Sequence, residues 1–83
     1  MVLLRKIKRI LTEQFPPPDK VSIEDHDGVI GYILSERFQR MDMMDRQNWI
    51  GKILAARLEP KDLRRVQAIV GVAPEEEIGL LDV

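Results

Sequence analysis

Three consecutive prolines, Pro16-Pro17-Pro18, fix the first internal boundary of this chain. Each ring lacks an N–H donor and biases the residue before it toward extended backbone, so neither a helix nor a central strand can run through them. Upstream, Leu3, Leu4, Ile7, Ile10 and Leu11 recur at helical spacing, with Arg5, Lys6, Lys8 and Arg9 filling the other positions. That pattern predicts an amphipathic helix over residues 2–14, anchored at its end by Phe15. The prolines then read as a stiff connector, because three residues without further spaced prolines make a poor ligand for a proline-reading domain.

Downstream, Val21 and Ile23 alternate with Ser22 and Glu24, and Val29 to Leu34 forms a second, more apolar run. Both read as strands. Asp27-Gly28 between them tolerates the positive φ of a tight turn, so the two strands are expected to be antiparallel neighbours. Asp42 is placed to cap a helix over 42–57, and Asp45 adds a carboxylate at its positive end. Met43, Trp49, Ile50, Ile53, Leu54 and Leu58 form the apolar stripe of that helix, with Trp49 at the border. Pro60 suits the first position of a short further helix through Arg65. Val66 to Ala73, closed by Pro74, is dense in apolar residues and reads as a strand covered on both faces or central to a sheet.

The expectation is a single α+β domain over residues 1–83, of order αββααβ, with an ordered core of about 2–74 and a tail over 75–83. A three-stranded mixed sheet should carry its helices on one face.

Length and composition narrow the function. A chain of 83 residues buries only about 60–65% of the surface its unfolded form exposes, which leaves an enzyme cramped. The absence of cysteine excludes disulfides, thiolate nucleophiles and cysteine-held zinc or iron–sulfur sites from this chain. That suits a reducing, cytoplasmic setting. The first nine residues mix charge into their apolar positions, unlike a signal peptide or a membrane span. Net charge is −1, with residues 1–20 and 37–65 net basic and 21–36 and 66–83 net acidic. This alternation reads as a solvated surface before it reads as a nucleic-acid footprint.

Four motifs invite sharper readings. His26, the single histidine, lies among Glu24, Asp25 and Asp27, but consecutive residues in a tight turn do not converge on one ion. Gly28-Val29-Ile30-Gly31 matches a GxxG, yet it lies in a hairpin, whereas the loop of KH domains joins two helices. Trp49 and the pair Met43-Met44 could offer a docking surface, although core packing accounts for them more simply. Arg46, Lys52, Lys61, Arg64 and Arg65 could gather around the helix–helix joint, with no aromatic interleaved to stack a base. No catalytic residue, metal ligand or cofactor site is assigned.

The element order is shared by type II KH domains and the BolA family, and particular residues point to the latter. Ser35-Glu36-Arg37-Phe38-Gln39-Arg40-Met41, followed by Asp45-Arg46-Gln47, Ile50 and Leu54, resembles the BolA stretch in which a strand ending S-[DE]-R-F leads to a helix carrying R-H-R. Val66-Gln67-Ala68-Ile69 is similar to that family's V-H-A-L at the start of the last strand. The likeness runs from the first helix to Pro74-Glu75.

BolA-like proteins pair with monothiol glutaredoxins and supply histidine, or a loop cysteine or histidine, to a shared [2Fe–2S] cluster. Here Gln47 and Gln67 stand at the two histidine positions, and the metal-contributing loop is shortened to Asp25-His26-Asp27-Gly28. An amide is a poor ligand for iron. The resemblance therefore implies a scaffold that has given up cluster ligation, with His26 the one conceivable remnant. The expected function is a non-catalytic regulatory or adaptor module for a protein partner, glutaredoxin-like by resemblance. Arg46, Arg64 and Arg65 would meet it by charge pairing, and Gln47 and Gln67 by amide hydrogen bonds. The alternative is a KH-like nucleic-acid-binding domain with a transcription-related role.

Overall fold

The computed structural model describes residues 2–75; the remainder of the expected tail, from residue 76, lies outside the described residues. Helix α1 (Val2–Gln14) leads to strands β1 (Lys20–Asp25) and β2 (Val29–Leu34) and a 3-10 turn at Glu36–Phe38. Helices α2 (Met43–Ala55) and α3 (Pro60–Leu63) and strand β3 (Val66–Val72) follow. The sheet has the order β1-β2-β3, with β1 antiparallel and β3 parallel to β2. It is the three-stranded mixed α+β sheet that the apolar periods imply. Among the described residues no helix is long and apolar enough to cross a membrane.

Local chemistry sets the element ends. Asp27 (φ 55°) and Gly28 (φ 138°) take the positive φ values of the hairpin turn, and the Asp25 carboxylate accepts from the Gly28 N–H at 3.1 Å. The Asp42 side chain caps α2 by accepting from the Asp45 N–H at 2.8 Å, satisfying an N–H that the helix cannot bond itself. Pro60 opens α3 as its first residue. Ser35 fastens the end of β2 to the segment after the prolines: its hydroxyl donates to Asp19 at 2.9 Å and accepts from the Arg37 N–H at 3.1 Å.

The core joins Ile7, Ile10 and Leu11 of α1 to Val29 and Ile33 of β2, Ile50 and Leu54 of α2, and Ile69 of β3. Phe15, Phe38 and Trp49 pack as a ring cluster with centroids 5.2–5.6 Å apart. The Arg37 guanidinium covers the Phe15 face at 4.5 Å, a favourable contact between a cation and a ring's electron-rich face. Arg57, in the joint between α2 and α3, reaches back to the Glu13 carboxylate of α1. That hydrogen bond, with the charges of Arg57 and Arg9, holds the Glu13 carboxyl below its ordinary range.

Three expectations are corrected. β3 is an edge strand and β2 is central, because apolar density reports how much of a strand wants cover and not which strands flank it. Helix α2 ends at Ala55. Met43 and Met44, expected in the core, are 50% and 71% exposed. They occupy the turn of α2 that precedes its contact with the sheet; the buried positions are Arg46, Ile50 and Leu54, each one turn apart.

Candidate partner-binding groove

Between α2, α3 and β3 lies an open groove of about 280 Å³. Helix α2 contributes Gln47, Ile50, Gly51 and Leu54, whose i, i+3, i+4, i+7 spacing puts them on one helical face. Leu63 of α3 closes one end, and Val66 to Ile69 of β3 form the far wall. Gln47 and Gln67 bring polar groups to this lining, beneath which Ile50, Leu54 and Ile69 are buried in the core.

The wall of this groove is the outer edge of the sheet. The Val72 carbonyl accepts from the Ser35 N–H at 3.0 Å on the β2 side. In a parallel ladder alternate residues bond the neighbouring strand, so Gly71 and Ile69 turn their backbone groups outward. At Gly71 the carbonyl is met by the Arg46 guanidinium, Nη1 donating at 3.1 Å. One turn along α2, the backbone of Ile69 faces the groove.

Gly51 marks the site from the helix side. Within a helix a glycine costs roughly 0.5–1 kcal/mol relative to alanine, and packing usually accounts for it. Here a Cβ at Gly51 would meet nothing within 4 Å. Among the described residues no neighbour demands the glycine; what it leaves open is room along the groove.

The residues expected to meet a partner are dispersed in role. Gln47 and Gln67 converge on this groove. Gln67 is partly engaged, its Nε2 donating to the Asp27 carbonyl at 2.7 Å. That bond ties the bulge of β3, where pairing shifts beside Val29 and Ile30, to the hairpin turn. Arg64 is exposed at the end of α3. Arg65 is exposed as well and lies 3.8 Å from Asp25, while Lys61 lies 3.6 Å from Glu59, so neighbouring acids offset part of the basic cluster.

Arg46 departs from its expected role. It is 5% exposed: Nε donates to the Met41 carbonyl at 2.9 Å, Nη1 to Gly71, and the guanidinium stands 5.8 Å from the Phe38 ring centroid. An arginine so placed braces the sheet edge against α2, with its bonds made to backbone carbonyls. A sequence signal existed, since Arg46 lies four residues before Ile50 and eight before Leu54 on the buried stripe. Gly51 was also missed; a lone glycine inside a helix with no packing neighbour was its only mark.

The positions that would hold iron in the resembled family do not fit it. Gln47 and Gln67 offer amides, and the Gln67 amide nitrogen is already bonded to backbone. His26 is exposed and pairs with Glu24 at 2.7 Å. Among the described residues no three histidine, cysteine or carboxylate side chains gather as a metal site. Comparison with known protein families, with curated proteins and with solved structures finds no match.

Proposed function

We propose that the chain is a non-catalytic, BolA-like regulatory or adaptor module that seats a protein partner in the groove between α2, α3 and β3. The single observation that carries this reading is Gly51, an exposed mid-helix glycine beside open space where it lines the groove. Such a residue is explained by close approach of something from outside. Around it, Leu63, Val66 and Ala68 offer apolar contact over the buried Ile50 and Leu54, while Gln47, Gln67 and the outward backbone of Ile69 offer hydrogen bonds. Arg64 and Arg65 supply charge beside α3, and Arg46 serves from beneath by holding the sheet edge in place. The amides at 47 and 67 favour recognition without iron ligation, and a monothiol glutaredoxin is the partner class that the resemblance suggests.

An NMR shift map of the labelled chain tests this, with a monothiol glutaredoxin added with and without its cluster, and with single-stranded DNA in a separate titration. Perturbations centred on Gln47, Gly51, Gln67 and Ile69, independent of the cluster, are expected. Shifts centred on α1, or a response to DNA that disappears steeply with added salt, would sink the reading in favour of phosphate binding.

A further inference from the structure

β3 is apolar on both faces, and the helices cover one of them. The paired rows Leu34–Val72, Tyr32–Val70 and Ile30–Ala68 alternate with the core-facing residues Val29, Ile33 and Ile69, and none of the six belongs to the core cluster. Tyr32 is 39% exposed, Ala68 is exposed, and Ile30, Val70 and Val72 are half-buried, while Leu34 at the end of the face is already buried within the single chain. A sheet face meant for water alternates to polar residues, yet across β2 and β3 this face has no charged side chain. β1 alone brings charge to it: Lys20 opposite Leu34 and Glu24 opposite Ile30, with Ser22 between them opposite Tyr32.

We propose that this face is covered by a second copy of the chain, the two sheets stacked about a two-fold axis that runs across the strands at the level of Ser22, Tyr32 and Val70. Such an axis reverses strand direction while laying each strand over its own counterpart. Lys20 of each copy then meets Glu24 of the other, and the Leu34–Val72 row of each lies over the Ile30–Ala68 row of the other. Opposite charges at equal distances on either side of a middle position complement themselves only under this operation, which is what singles out a second copy over an unrelated partner. Aligned sheets pack in this manner about 10 Å apart. Glu24 keeps its contact with His26 through Oε2, which leaves its other oxygen for Lys20. Ala68 lies on this face and also beside the groove, but the proposal does not depend on the groove's partner.

Sedimentation equilibrium on the full chain, across a range of concentrations, tests it with four variants. The wild type is expected to form a reversible dimer, and Val70→Lys to be monomeric with an unchanged circular dichroism spectrum. Lys20→Glu and Glu24→Lys should each weaken the dimer by roughly tenfold, since each replaces two opposite-charge contacts by like-charge ones. The double variant K20E/E24K, in which the charges are exchanged, should recover the wild-type dissociation constant. A wild type that stays monomeric at every concentration overturns the proposal. A dimer indifferent to Val70→Lys, or weakened equally by the single and double charge changes, overturns it too.

Discussion

The Arg46 guanidinium closes the free edge of the sheet at Gly71, donating to that carbonyl at 3.1 Å while its Nε holds the Met41 carbonyl at 2.9 Å. One side chain thus links the entry to α2, the body of α2 and the outer strand. Gly71 makes the arrangement possible, because a Cβ there would lie 2.9 Å from the Phe38 ring that packs beneath.

Replacing Arg46 should therefore affect folding before it affects binding. Arg46→Ala leaves buried carbonyls without their donor and is expected to cost about 2–4 kcal/mol in urea unfolding. Arg46→Lys should recover only part, since a single ammonium lacks the planar fork that spans two carbonyls. A loss of partner affinity at unchanged stability would return Arg46 to the surface role first expected of it.

Gly71 and Gly51 should respond in opposite directions to the same substitution. Gly71→Ala drives a methyl into the Phe38 ring and is expected to destabilise by about 1–3 kcal/mol. Trp49 fluorescence should change with it, since Phe38 and Trp49 are in contact at 5.6 Å. Gly51→Ala meets open space and should stabilise α2 by about 0.5–1 kcal/mol. Thermal unfolding of both variants checks the pair.

The contact between Glu13 and Arg57 gives stability a specific dependence on pH. The Arg57 hydrogen bond holds the Glu13 carboxyl below its ordinary range, so folding favours the ionised form. The stabilisation is complete above the carboxyl's unfolded value and is lost as pH falls through the lower folded one. Glu13→Gln should be less stable than wild type near neutrality, and the two unfolding midpoints should converge in acid. A constant gap across that range would contradict the assignment.

Gln67→Ala should loosen the hairpin turn, because the Nε2 bond to the Asp27 carbonyl is lost. Faster amide exchange at Asp27, Gly28 and Val29 is the expected signature, with global stability lowered by about 0.5–1.5 kcal/mol. Unchanged exchange in the turn would mean that the side chain is held for the groove alone.

Much of the fold was legible in the sequence because local chemistry and tertiary structure agree. Asp42 and Pro60 mark helix starts, Asp27-Gly28 marks a turn, and the prolines end α1. The position of β3 in the sheet was not legible, since periodicity measures how a residue is covered and says nothing about which strand lies beside it. Arg46 was misread because charge ordinarily means surface, and only its place on the 46–50–54 stripe argued otherwise. The clustering of Phe15, Phe38 and Trp49, far apart in sequence, needed three dimensions. The groove was half legible: Gln47 and Gln67 were singled out by resemblance, while Gly51 and the outward backbone of Ile69 depend on knowing which strand has a free edge.

The central claim, that the groove beside the free edge of β3 seats a protein partner, is tested most directly by filling it. Calorimetric titration of a monothiol glutaredoxin into the wild type and into Gly51→Trp, with circular dichroism to establish that both are folded, compares the open groove with a blocked one. The account predicts measurable binding by the wild type and a dissociation constant raised at least roughly tenfold by the tryptophan, the effect of an obstructed central contact. Equal affinity for the two chains, or no heat of binding from the wild type, would contradict it.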